Sequence, residues 1–171
     1  MTPDHLGKLF ESFRVSAFRL ECLPAYDVTE DAERDAYRLW LAGDRPQAPD
    51  REWPKLVASV VAAGKTVQRV RVIHGMTDYI RFELEWGYPS NVAAGEDIRV
   101  LELGADDESP ALDYWLFDSV VAVRLLYDGT GQFLGVESVD YPNGVSQLCR
   151  IRDAVMARAV PFAQYRASLR A

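Results

Sequence analysis

Cysteine and histidine are scarce in this sequence, with two of each in 171 residues. Cys22 and Cys149 lie far apart in the chain and supply neither a disulfide framework nor a zinc-ligand set. They read as two buried free thiols in a reducing compartment. His5 and His74 stand in no H-x-K, H-E-x-x-H or H-x-x-x-H pattern, so no metal site is expected. A P-loop, a G-x-G-x-x-G turn and a G-x-S-x-G nucleophile elbow are also lacking, and no cofactor is implied. The longest apolar runs, such as residues 57–63, are far shorter than the roughly 20 residues a bilayer requires, which argues against membrane insertion. The opening MTPDHLGKLF has no basic region followed by an apolar one, so no signal peptide is read and a cytoplasmic location is expected. A basic surplus is missing too: the net charge of -7 disfavours direct contact with nucleic acid or an anionic membrane.

What is present is an ordinary globular composition, 49% hydrophobic and 26% charged, of a length that suits one domain over residues 1–171. Residues 4–13 place Leu6, Leu9, Phe10 and Phe13 on one helical face. In the stretch that follows, Phe18, Leu20 and Cys22 alternate with Arg19 and Glu21, a strand pattern for which a short helical turn is the competing reading. Thr29 suits the N-cap of a helix running to Leu41, and a second helix is expected over 51–63. Residues 66–103 then carry two valine- and isoleucine-rich runs, 67–73 and 98–103, on either side of a helical segment that starts at Thr77 or Asp78 and is interrupted by Gly87 and Pro89. That is one β-α-β unit with parallel strands. Strand patterns at 113–118, 120–128 and 132–139 follow, with DGTG as the tight turn between the last two. A long helix over 145–159 and a short final one close the chain. The expected fold class is mixed α+β and α/β: helices, one β-α-β unit, an antiparallel meander and a C-terminal helix, forming one mixed sheet with helices packed on it.

The arginines of residues 66–103 are the best functional clue. Arg69 and Arg71 alternate with Val70 and Val72 in a strand that should be buried on both faces, and Arg99 repeats the pattern in the second strand. Such arginines either meet buried carboxylates, for instance Asp113 or Asp118, or line a pocket whose forks receive a carboxylate or phosphate. The candidate ligand-binding residues are Arg71, Tyr79, Arg81, Arg99, Asp113, Trp115 and Asp118. An enzyme acting on a phosphoester or acyl substrate is the alternative, using Arg71, Arg99 and Asp118 with Tyr79 or His74 as proton donor. A homodimer with Trp86, Tyr88 and Trp115 at its interface is a third reading.

The motifs FRLE at 18–21, RVRV at 69–72, TDYIRFEL at 77–84, NVAAGEDIRVL at 91–101 and DYWLFD at 113–118 resemble a bacterial family of small proteins built of one full-length domain of unknown function. Members of that family are often encoded beside helix-turn-helix regulators. The resemblance implies no activity. It does imply a regulatory or interaction module whose partner is such a regulator or a small anionic ligand. Where the family has a proline shortly before T-D-Y, this chain has His74, Gly75 and Met76, so His74 is not expected to be a catalytic residue of the family. A weaker similarity, at the level of strand order, is to half of a phospholipase D-like fold, whose catalytic H-x-K-x4-D motif is missing here.

Overall fold

The computed structural model describes residues 3–27, 31–47 and 50–170. Helix α1 (Pro3–Ser12) leads into strand β1 (Ser16–Glu21), then helices α2 (Asp31–Leu41) and α3 (Glu52–Ala62) and strand β2 (Thr66–Ile73). A helical stretch follows as α4 (Asp78–Phe82), a π-helical turn (Glu83–Gly87) and α5 (Tyr88–Ala93). Next come β3 (Asp97–Glu102), β4 (Asp113–Phe117), β5 (Val121–Tyr127), β6 (Phe133–Ser138), α6 (Asn143–Arg158), β7 (Val160–Pro161) and α7 (Phe162–Ser168). The N-cap expected at Thr29 lies outside the described residues.

The seven strands form one mixed sheet in the order β6-β5-β4-β1-β2-β3-β7. Strands β1, β2 and β3 run parallel, while β4, β5, β6 and β7 pair antiparallel with their neighbours. The expected mixed fold is therefore present, with one correction. β1 pairs in parallel with β2 from Ser16↔Thr66 to Glu21↔Arg71, so β1 is a central strand and the chain holds two consecutive β-α-β units rather than one. The helical-turn alternative for that segment falls away.

Alternation along the strands gives the two faces different chemistry. Phe18, Leu20, Val70, Val72, Leu101, Tyr114 and Leu116 form a dry face covered by Val145, Leu148 and Val155 of α6. The Tyr114 hydroxyl donates to the Leu148 carbonyl at 2.9 Å and pins that helix. The opposite face carries Ala17, Val67, Trp115, Phe117 and Val123 at one end, packed against Val57 and Val60 of α3 and Phe10 of α1. At its other edge Ile73, Ile98 and Val100 meet Ile80, Leu84, Tyr88, Phe162 and Tyr165. Between these two apolar patches, the same face presents Arg19, Glu21, Arg69, Arg71 and Asp113, all buried.

The helical stretch from Asp78 is not interrupted at Gly87 and Pro89, as the sequence suggests. The chain passes through the π turn directly into α5, with Pro89 just past that turn at the start of α5. This stretch is buried on two sides. Ile80, Leu84 and Tyr88 face the sheet, while Phe82 and Trp86 stack at 4.9 Å and pack against Ala36, Tyr37 and Trp40 of α2. Trp86, Tyr88 and Trp115, considered above as dimer-interface residues, are 5%, 3% and 5% exposed and belong to the interior.

Candidate functional site

A cavity of about 320 Å³ lies over the polar centre of the sheet. Its floor comes from β1 and β2, and the helical stretch 78–93, α3 and the 22–27 segment enclose it. Arg19, Glu21 and Arg69 rise from the floor, Glu83 and Tyr88 descend from above, and Tyr26, Tyr79, Tyr127 and Phe133 add aromatic walls.

Each buried arginine of the floor has an internal acceptor or counter-ion. Arg19 donates from Nη2 to Asp113 Oδ2 at 2.8 Å. Asp113 also accepts from the Tyr26 hydroxyl at 2.5 Å and the Cys22 amide at 3.0 Å. Arg69 donates from Nε to Glu96 Oε1 at 2.6 Å and from Nη1 to Glu21 Oε1. The second oxygen of Glu96 takes the Trp53 indole N–H at 2.8 Å, and the second oxygen of Glu21 takes the Tyr88 hydroxyl at 2.6 Å. Arg51 of the α3 entry donates from Nη2 to the Gly87 carbonyl, Ser90 Oγ and Asn91 Oδ1 at 2.7–2.8 Å. Removing one member of such a buried set strands its partner's charge, at about 3–5 kcal/mol.

Arg71 and Glu83 are the exception in geometry. Arg71 is 0% exposed, with its guanidinium 5.3 Å over the Tyr26 ring. Its Nη2 lies 3.0 Å from Glu83 Oε2, an ion contact without hydrogen-bond alignment. Neither Arg71 Nε, Nη1 and Nη2 nor Glu83 Oε2 has a hydrogen-bond partner among the described residues. Unlike Arg71, Glu83 lines the cavity. The π turn holds it there: Glu83, Leu84, Trp86 and Gly87 are all buried within five residues. Such turns recur at functional sites.

The two central carboxylates have opposite electrostatics. Burial works against the charge of Glu21, but Arg69, Arg19 and Arg71 overcome it and hold the group down at about 2. Burial pushes Glu83 up to about 7, against the pull of Arg71 and helped by the neighbouring charge of Glu21. Burial also drives the hydroxyls of Tyr26, Tyr79 and Tyr88 well above their ordinary range. Cys22, beside this cluster, is pushed up to about 12, first by burial and then by Asp113, which makes it a poor nucleophile.

The cavity mouth depends on one glycine. Gly131 of the β5–β6 turn has φ +87, and a Cβ there would stand 2.6 Å from the Ala25 carbonyl oxygen. The open space lets the Asp27 amide donate to the Gly131 carbonyl at 2.9 Å, which docks the segment carrying Tyr26 and Asp27 onto the hairpin. The Thr77 hydroxyl holds the same segment from the other side by donating to the Pro24 carbonyl at 2.7 Å.

Of the seven residues singled out from the sequence, four gather on this face: Arg71, Tyr79, Asp113 and Trp115. Tyr79 lines the cavity, Asp113 anchors Arg19, and Trp115 lies under the Arg69 guanidinium at 6.0 Å. The other three are elsewhere. Val70 pairs with Arg99, so Arg99 stands on the α6 face, opposite Arg71, and pairs with Asp97 of its own strand at 3.2 Å. Asp118 sits at φ +52 in the β4–β5 turn, where its carboxylate accepts the backbone N–H groups of Arg14, Val15 and Ser16 at 2.7–2.9 Å. Arg81 is exposed on the far side of α4. The suggested pairing of Arg71 or Arg99 with Asp113 or Asp118 is thus replaced by Arg71–Glu83, Arg19–Asp113 and Arg99–Asp97. Nor are Arg71, Arg99 and Asp118 brought to one place, and His74 is exposed, so that catalytic constellation is not assembled.

The residues that sequence reasoning missed are Arg19, Glu21, Arg51, Tyr26 and Tyr88. Arg19 and Glu21 had a visible signal, since they repeat in β1 the alternation of Arg69 and Arg71 in β2. Two neighbouring strands that each put charge on one face place that charge side by side. Among the described residues no group of three or more His, Cys, Asp or Glu is disposed to hold a metal ion, and no helix is long and apolar enough to cross a membrane. No curated protein matches the chain. Residues 4–167 match the model of the domain of unknown function DUF6879, and the chain belongs to that family.

Proposed function

We propose that this protein is a non-catalytic binding module that holds a small organic cation in the cavity above β1 and β2. One observation carries the reading. The arginines lining the cavity are hydrogen-bonded to internal acceptors, whereas Glu83, which also lines it, meets Arg71 only by an ion contact at 3.0 Å, and its Oε2 makes no hydrogen bond. Asp27 and Glu33 add negative charge to the lining, and four tyrosines with Phe133 offer ring faces to an ammonium or guanidinium group. The volume falls at the small end of the range for ligand pockets, about 300–1,000 Å³. Among the described residues the lining contains no Ser, Thr, Cys, His or Lys. An anionic ligand, expected from the arginines in sequence, would compete with the carboxylates that already engage Arg19 and Arg69.

A regulatory role fits a module of this kind. The chain's resemblance to a family often encoded beside helix-turn-helix regulators makes such a regulator the partner to test by co-elution. A second reading, an acid–base enzyme, is favoured by the place of Glu83 in the cavity lining beside Tyr79 and Tyr88, where burial pushes its carboxyl up toward the range suited to proton transfer at neutral pH.

The test is an NMR titration of the whole chain with three probes of one shape: 2-phenylethylamine, 2-phenylethanol and phenylacetate. The amine is expected to shift amides of the helical stretch 78–93 and of the 22–27 segment, with the other two far weaker. Glu83→Gln should abolish the amine's effect. Where that variant unfolds, Asp27→Asn at the exposed rim serves instead and should weaken the amine several-fold. No shift with any probe, or equal shifts with all three, would remove the reading.

A further inference from the structure

A second hollow, of about 510 Å³, lies on the outer surface between the helical stretch 78–93 and α7. Arg45, Arg81, Arg166 and Arg170 line it, and Glu85 is its one carboxylate among the described residues. Glu85 is already engaged: it accepts the Trp40 indole N–H at 2.8 Å, with Arg45 Nε at 3.9 Å. The side chains of Arg81 and Arg170 make no hydrogen bond or ion pair among the described residues. The guanidinium of Arg166 lies 5.6 Å over the Phe162 ring.

This concentration runs against the composition of the chain, which has 26 acidic and 19 basic residues. Like charges that share a hollow repel unless they are separated by about a Debye length, roughly 8 Å at physiological salt. Arg166 and Arg170 have a partial structural explanation, because cations near the C-terminal end of α7 complement its dipole. That explanation does not reach Arg81, in α4, or Arg45, in the loop after α2. Four arginines from three segments line one hollow with one engaged carboxylate. Planar forks of this kind match phosphate oxygens two at a time.

We propose that this hollow binds a small anion carrying a diphosphate group. A single phosphate would leave much of the positive charge unmatched, and two linked phosphates supply the charge and the oxygens for several forks. Leu84 and Leu169 give the hollow an apolar side on which the rest of such a ligand can rest. The net charge of -7 opposes extended polyanions, so a compact ligand is favoured over a nucleic acid or a membrane surface. The proposal is independent of the inner cavity and goes beyond it.

Isothermal titration of the full chain with inorganic pyrophosphate, orthophosphate and ADP tests the assignment, at low and at moderate salt. Pyrophosphate and ADP are expected to bind one to one, at least about tenfold tighter than orthophosphate, and to weaken steeply as salt rises. Arg81→Ala and Arg170→Ala, both without side-chain bonds to lose, should each weaken pyrophosphate about fivefold or more and leave the melting temperature unchanged. Arg14→Ala, exposed and outside the hollow, should change nothing. No binding at millimolar pyrophosphate, or binding indifferent to Arg81 and Arg170, would overturn the proposal. So would a short DNA duplex or anionic vesicles binding more tightly than ADP through the same arginines.

Discussion

Four arginines are gathered around the inner cavity and four around the outer hollow, and their neighbours differ in kind. Inside, Arg19, Arg69 and Arg71 face Asp113, Glu21, Glu96 and Glu83 across distances of hydrogen bonds or ion contacts, and Arg51 caps the carbonyl and side chains of the α5 entry. Outside, Arg45, Arg81, Arg166 and Arg170 line one hollow with Glu85, which lies in ion contact with Arg45. The same side chain therefore does two jobs. Where it is buried, water cannot solvate it, and the chain must supply its counter-charge. Where it is exposed, water tolerates an unmatched charge, and the charge stays available to something else. Among the described residues, the counter-ion that Arg71 finds in Glu83 has no equivalent at Arg81, on the surface.

The contrast can be broken most forcefully from the inside. Arg69→Met removes the partner of both Glu21 and Glu96 at once and is expected to cost about 3–5 kcal/mol, lowering the melting temperature by roughly 10 °C or more in a domain of this size. Urea unfolding checks the value, and a cost well below about 1 kcal/mol would mean that the inner arginines are not held by their own carboxylates.

A second test sharpens the special position of Glu83. Its folded-state value is raised to about 7 from the ordinary 4.5, chiefly by burial. Between these two values the folded protein retains a proton that the unfolded chain releases. The stabilisation from that proton is complete below pH 4.5 and is lost as pH rises through 7. Glu21, lowered to about 2, has the opposite sign: its stabilisation is present above 4.5 and is lost as pH falls through 2. Thermal melts between pH 5 and 8 are therefore expected to show a decline that Glu83→Gln flattens. An identical slope in the variant would place the titration elsewhere.

The smallest effect belongs to the outer hollow. Arg81→Ala should change stability by no more than about 0.5 kcal/mol, because its side chain makes no bond to lose. A stabilisation beyond that size would mean that repulsion among the four arginines is strong even without a ligand. A comparable destabilisation would reveal a structural role.

Much of this architecture is legible in the sequence, and the rest is hidden for identifiable reasons. Period-two alternation locates β2 through β6 to within a few residues, because each has a dry face against α6 or α3. β1 shows the same alternation, but its charged face looks like a solvent face until a roof is placed over it. The two residues of β7 are too few to have a period. The π turn is hidden because Glu83 reads as the polar side of an ordinary helix, whereas the stretch is packed on the sheet and on α2 at once. Asp118 reads as a strand residue and a candidate partner of the arginines, although Asp118 and Ser119 both take positive φ in a tight hairpin turn. Of the candidate site, the residue types were visible and their partners were not. Pairing Arg71 with Glu83 rather than Asp113 depends on which helix crosses above β2, and local pattern does not encode that.

The separation between the two sets of arginines is the central claim, and their side-chain Nε–H signals report on it directly. In a proton–nitrogen correlation spectrum at slightly acid pH, added pyrophosphate should move the Nε–H signals of Arg45, Arg81, Arg166 and Arg170 and leave those of Arg19, Arg69 and Arg71 in place. Movement of the Arg69 and Arg71 signals, with the surface set unchanged, would contradict the account.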